Sequence, residues 1–243
     1  MLLTKQRPYD IWSRNIFPFP MENCVLYLPF WQEDMQGAIT LRSYDHYTHS
    51  CSVVGGTWSS TGRTFDGTDD YVSVPDHAAL SGLSYFTICC WLKTSDTTNE
   101  TQTIFGKFTS SNREFFSFLN PSTGLISLRI YDESANAYLI RQKTGATFAD
   151  GAWHFMEFMW LGGTSVTNVQ IYQDLAQIDD SSATSGTFVA IENLGANFEV
   201  CRALVAATTN DLKGMMGELW LFNKVLSIAE RTYLRDVTKG VYQ

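Results

Sequence analysis

What most constrains this chain is a period of two that returns again and again along its length. Cys24-Val-Leu-Tyr-Leu28 is a continuous apolar run, Tyr71-Val-Ser-Val74 alternates, and Phe86-Thr-Ile-Cys-Cys-Trp-Leu92 reads as a strand buried on both faces. Further segments of the same kind lie at 103–108, 114–119, 124–131, 137–142, 153–160, 166–172, 198–203 and 215–222. Between them Asp66-Gly67, Asn120-Pro121, Asp150-Gly151 and Gly162-Gly163 supply the positive or fixed φ that chain reversals need. So many short strands at this spacing predict an all-β fold, a jelly-roll β-sandwich of two antiparallel sheets. One helical signal interrupts the pattern. Ser227-Ile-Ala-Glu230 matches a capping box and predicts one short C-terminal helix running to about Arg235.

Composition narrows the partners. Among 243 residues, 17 Lys and Arg stand against 25 Asp and Glu, a formal charge of −8, and no basic run occurs. Phosphate backbones need a clustered basic face, so a nucleic-acid partner is not expected. Nowhere do 18 apolar residues run together, so no membrane span is expected either. The first residues lack the apolar core of a signal peptide, so the protein is expected to be intracellular, exported by another route, or assembled into a particle. Cys24, Cys51, Cys89, Cys90 and Cys201 form no CxxC pair and are expected as free thiols. A Cys24–Cys51 bridge stays open for an oxidising compartment.

Residues 1–20 hold three of the six prolines together with Trp12, Ile16, Phe17 and Phe19. Proline forbids ladder donation, so this stretch reads as an extended N-terminal arm. It either lies across its own domain or docks on a neighbouring subunit to make a homo-oligomer. Residues 21–243 contain no repeat and no linker, and are read as one domain.

Three segments resemble one known family. Arg63-Thr-Phe-Asp-Gly-Thr-Asp-Asp-Tyr-Val-Ser-Val-Pro75 is similar to an FDGxDDYVxVP entry motif, and 86–93 to an FTxxxWxK strand. Gly214-Met-Met-Gly-Glu-Leu-Trp-Leu-Phe222, with the capping box behind it, is similar to a closing strand and helix. Asp150-Gly-Ala-Trp-His154 and Val169-Gln-Ile-Tyr172 fall in order between them. The family is the laminin-G-like, concanavalin A-like lectin/glucanase jelly-roll superfamily. The resemblance implies a lectin-like module that recognises carbohydrate or another surface ligand, and relatives of this fold carry calcium.

Candidate residues follow from chemistry. Calcium favours several carboxylate oxygens from loops, which points to Asp66, Asp69 and Asp70, with Glu218 from the closing strand, where Gly217 stands in place of the family's usual Asp. The competing reading is that these acids cap turns. Glycoside hydrolysis needs paired carboxyls, and Glu157 has Phe155 and Met159 two residues away, so no enzyme is expected. Glu157 is either a polar group of a binding sheet or a hydrogen-bonded structural one. No serine elbow, Walker or dinucleotide motif is present. His46 and His49 share a polar loop read as a connection. Trp91, Trp153 and Trp220 read as core, whereas Trp31, Trp58, Tyr131, Tyr138 and Trp160 lie nearer strand ends or loops and are the candidates for a ligand face. The expected function is a non-catalytic carbohydrate-binding module. The alternative is a structural, decoration or adhesion component of a phage or virus particle, assembled through residues 1–20.

Overall fold

The computed structural model describes residues 23–98, 100–205, 208–209 and 211–243; the arm expected at 1–20 lies outside them. Along the chain come β1 (Cys24–Leu28), β2 (Thr40–Arg42), β3 (Ser50–Val54), β4 (Thr57–Ser59), β5 (Gly62–Asp66), β6 (Tyr71–Val74) and β7 (Phe86–Lys93). Next are β8 (Gln102–Thr109), β9 (Asn112–Asn120), β10 (Leu125–Asp132), β11 (Ala137–Lys143), β12 (His154–Trp160), β13 (Val169–Gln173), β14 (Ala176–Gln177) and β15 (Ser181–Ser185). The chain closes through β16 (Phe198–Val200), the small ladder β17 (Leu204–Val205) and β18 (Thr208–Thr209), β19 (Lys213–Phe222) and the helix α1 (Ile228–Thr238).

Two antiparallel sheets result. The eight-stranded sheet runs β14-β13-β12-β7-β19-β5-β4, with β1 added on β19, and the nine-stranded sheet runs β15-β11-β10-β9-β8-β16-β6-β3-β2. Strand β19 has three partners: it pairs with β7 along its length, with a register shift between Met216 and Leu219, while its first half also pairs with β5 and its second with β1. Pairing of β1 with β19 brings the first and last described strands together.

The core explains the sequence pattern. Phe86, Ile88, Cys90 and Leu92 of β7 point between the sheets into the main cluster, while Cys89 and Trp91 point into a second cluster on the other face. That second cluster is covered by α1, whose Leu234 packs there with Trp220, Phe155 and Tyr242. A strand with a sheet partner on one side and a helix on the other must be apolar on both, which is why β7 shows a run and not an alternation. The expected core tryptophans Trp91 and Trp220 are buried here, and Trp153 packs at the cluster's edge.

The capping box forms as its residues require: the Glu230 amide donates to Ser227 Oγ (3.3 Å) and the Ser227 amide to Glu230 Oε2 (2.8 Å). The helix continues one turn past Arg235, to Thr238, whose hydroxyl accepts from Trp91 Nε1 (2.8 Å). This tertiary contact, invisible to local pattern, holds the last turn. All five cysteines are buried free thiols, and burial pushes the Cys51 thiol up to about 12. No helix among the described residues is long and apolar enough to cross a membrane.

Candidate functional site

The outer face of the nine-stranded sheet carries an aromatic patch that alternation alone builds. In β9, Phe115 and Leu119 turn into the main core and Phe116 and Phe118 turn out; in β10, Ile126, Leu128 and Ile130 turn in and Arg129 and Tyr131 out. Register then assembles them. Arg129 lies opposite Phe116, and Tyr131 opposite Tyr138 of β11. Phe116 and Phe118 stack at 5.3 Å, Phe116 and Tyr131 at 6.2 Å, and Tyr131 meets Tyr138 edge-on at 6.0 Å. Phe108 closes the patch 4.8 Å from Phe116. Strand β8 has Gly106 opposite Phe116, where a Cβ would approach the Phe116 Cβ to 2.8 Å; the missing side chain leaves space for the ring.

Two guanidinium groups lie over these rings. Arg129 is 5.4 Å from the centres of Phe116 and Phe118 and 5.7 Å from Tyr138, and its Nη1 donates to Tyr131 Oη at 3.1 Å. Arg113 is 5.1 Å above Tyr131, pairs with Glu133 and donates to Asn136 Oδ1 at 2.8 Å. The phenol of Tyr131, 4% exposed, is pushed up by burial against the pull of the arginines. Tyr138, Leu125 and the arginines are partly exposed. Buried rings thus form a floor, and one tyrosine and two cations stand partly exposed above it.

The remaining sequence candidates fall elsewhere. Trp160 is 2% exposed, sealed between the sheets against Phe86 and Phe188, so the expectation of a ligand-facing ring is corrected: its β12 position alternates inward. Trp58 packs on the main core and donates its indole N–H to the Gln32 carbonyl at 2.9 Å. Trp31 packs against the cluster beneath α1. Only Tyr131 and Tyr138 are brought together.

Glu157 is also corrected as a surface group. It is fully buried under α1, where Arg231 Nη1 donates to its Oε1 (2.9 Å) and the Leu175 amide to its Oε2 (3.2 Å). Its cross-strand neighbours are Cys89 and Tyr172. Burial pushes its carboxyl up to about 7, with Arg231 opposing. Arg231 in turn lies 4.2 Å over Tyr172. Among the histidines, His49 is buried with its Nε2 3.0 Å from the Val25 carbonyl, so it belongs to the connection and not to a surface.

Asp66, Asp69 and Asp70 do converge, each offering an oxygen within 4.8 Å of the others. Two of them also cap the turn: Asp70 Oδ2 accepts from the Asp66 amide (2.9 Å) and Asp66 Oδ1 from the Thr68 amide (2.8 Å). Three hard oxygen donors suit calcium in kind. Glu218, expected as a fourth ligand, is absent from the group: it is buried beneath the C-terminal segment, bonded by Tyr27 Oη (2.7 Å) and Tyr242 Oη (3.0 Å). It meets Tyr27 and Tyr242 of the second cluster, within the stretch where the β19 register shifts.

Of the residues in this patch, the two tyrosines were among the sequence candidates, whereas Arg129, Arg113, Phe116 and Phe118 were not. Their signal was present, since 116, 118, 129 and 131 share parity within their strands, but only register shows that the strands are neighbours.

A family model described as the concanavalin A-like lectin/glucanases superfamily matches residues 66–230. A comparison with curated proteins finds no match. Among solved structures, the binding domain of botulinum neurotoxin DC in complex with SialylT is similar at a TM-score of 0.64 and 12% identity, covering 89% of this chain and 52% of that one. A botulinum neurotoxin type C, whose cell entry is dependent upon interaction with two ganglioside molecules, gives 0.63 and 12%, over 89% and 52%. A Trypanosoma rangeli sialidase in complex with a difluoro-nononic acid gives 0.64 and 11%, over 90% and 33%. At such identity these likenesses show the fold, and the chain spans about half or less of each neighbour.

Proposed function

The chain belongs to the concanavalin A-like lectin/glucanase superfamily, and on that premise we propose that it is a non-catalytic, lectin-like module binding carbohydrate through the outer face of its nine-stranded sheet. The observation that carries this reading is the register that sets Tyr138 beside Tyr131 and Arg129. Sugar rings present flat C–H faces that pack on aromatic rings, and hydroxyls that take hydrogen bonds from a polar rim. This face offers both. The similar structures support it, as the descriptions of all three name such a ligand: SialylT, two ganglioside molecules and a difluoro-nononic acid. Catalysis is not part of the proposal, because Glu157 is committed to Arg231 and has no carboxylate across the strand. Calcium at Asp66, Asp69 and Asp70 is kept as a proposed ligand without Glu218. The particle-component reading depends on residues 1–20, outside the described residues.

Glycan-array screening followed by calorimetry tests the proposal. Tyr138→Ala is expected to weaken the bound glycan at least about tenfold, the loss of one ring contact, with the melting temperature little changed. A wild-type protein that binds no glycan, or a Tyr138→Ala variant that binds as wild type, overturns it.

A further inference from the structure

We propose that Arg129 is the anion-recognising group of this face, and that the saccharide it takes is acidic, carrying a carboxylate on a pyranose ring. This rests on the lectin-like reading and goes further, since it names the ligand class. The first ground is charge. The other buried or half-buried arginines among the described residues, and the buried Lys107, have a carboxylate or backbone carbonyls of their own: Lys107 has Asp76 and Glu114, Arg113 has Glu133, Arg141 has Asp179, Arg202 has Glu199, Arg231 has Glu157 and Arg235 has Asp236, while Arg63 donates to the Gly56, Met35 and Gly37 carbonyls. Arg129 has none among the described residues. Its protein hydrogen bond goes to the neutral Tyr131 hydroxyl, and its Nε is buried without an acceptor.

The acids of the neighbouring hairpin do not supply the missing charge. Glu133 is engaged by Arg113, and Asp132 accepts from the Ala135, Val189 and Ala190 amides and from Ser134. Glu192 accepts from the Ser134 amide. In a chain of net charge −8, a guanidinium left unpaired on an aromatic floor is an exception.

The second ground is geometry. Three rings within 5.7 Å hold the cation by their faces and lower the local dielectric. A low dielectric strengthens attraction to an incoming anion and weakens competition from water. A planar guanidinium fork matches a carboxylate, a fit an ammonium cannot reproduce. Tyr138, partly exposed and 5.7 Å from that cation, offers a face to the pyranose carrying the acid. One residue recognises the charge and its neighbour the ring.

Calorimetry with two acidic probes tests this: 3′-sialyllactose against its methyl ester, and a galacturonate oligosaccharide against its methyl-esterified form. The wild type is expected to bind at least one acid about tenfold more tightly than its ester. Arg129→Gln is expected to abolish that preference and Arg129→Lys to keep a fraction of it. Which acid is preferred separates nononic from uronic sugars. If wild type binds acid and ester alike, the inference falls while the lectin-like reading stands. If neither probe nor any array glycan binds, both fall. Because the acid-to-ester ratio is measured on the wild type, the inference is tested even if Arg129→Gln does not fold.

Discussion

Glu218 shows what one residue can do to this fold. It is fully buried, and the groups that bond it are two phenols, Tyr27 and Tyr242. Burial pushes its carboxyl up to about 7 from an ordinary 4.5, with Tyr27, Trp31 and Tyr242 pulling the other way. A raised folded value means that the stabilising form is the protonated one. Its contribution is complete below the unfolded value and lost as pH climbs through about 7, a difference of about 3 kcal/mol. Glu218→Gln, neutral at every pH, is therefore expected to match wild type near pH 5 and exceed it at pH 8, as urea titration at both values will check. Its neighbour Gly217 has a steric role. A Cβ there would lie 2.3 Å from Cε1 of Tyr242, whose ring stacks on Trp91 at 4.7 Å. The place where the family has an acid is here the seat of a tyrosine ring. Gly217→Ala should cost about 1–3 kcal/mol by displacing that ring, and unchanged denaturation would refute the account.

At the scale of elements, α1 turns the outer face of the eight-stranded sheet into a second core. Capping residues start it, Leu234 and Arg231 face the sheet, and Arg231 meets Glu157 on β12. This ion pair is buried on both sides, and removing one partner leaves the other charge without compensation. Glu157→Ala, which leaves Arg231 and the Leu175 amide without their acceptor, is expected to destabilise the protein by about 3 kcal/mol, read by chemical denaturation, without altering the glycan binding proposed for the opposite sheet. Loss of binding in a folded Glu157→Ala protein would count against the face proposed for the ligand. On that face the governing element is β10. It is paired on both edges, and its outward Arg129 and Tyr131 gather rings from β9 and β11.

For the whole molecule, charge and pH act in opposite directions at the two ends of the scale. His154 is held protonated by Asp174 (2.8 Å), opposed by its burial and helped by Asp150 (3.1 Å), so its contribution, like those of Glu157 and Glu218, fades as pH rises. Asp96 and Asp132 are held below the usual range by hydrogen bonds despite their burial, and their contributions fade as pH falls through that range. Stability should therefore peak in mildly acidic solution, between the aspartate range and about 7, and a maximum above pH 8 would contradict these assignments. The acidic loop adds a separate test. Calcium held at Asp66, Asp69 and Asp70 only in the folded state must raise the melting temperature over that in chelator, and Asp69→Asn must reduce the rise. An identical melt in calcium and chelator removes the metal.

The sequence by itself determined the sandwich, its turns, the closing helix and the acidic loop, because period, turn chemistry and capping act between residues a few positions apart. Among its ligand-face candidates were Tyr131 and Tyr138, which the register sets side by side. Tertiary structure alone decided that Trp160 and Glu157 are interior, that Glu218 leaves the acidic group, and that Arg129 stands over three rings without a counter-ion. Parity along a strand says that two faces exist, but not which one meets solvent, a helix or the other sheet. That is set by the order and register of strands distant in sequence, and with it which charges find partners.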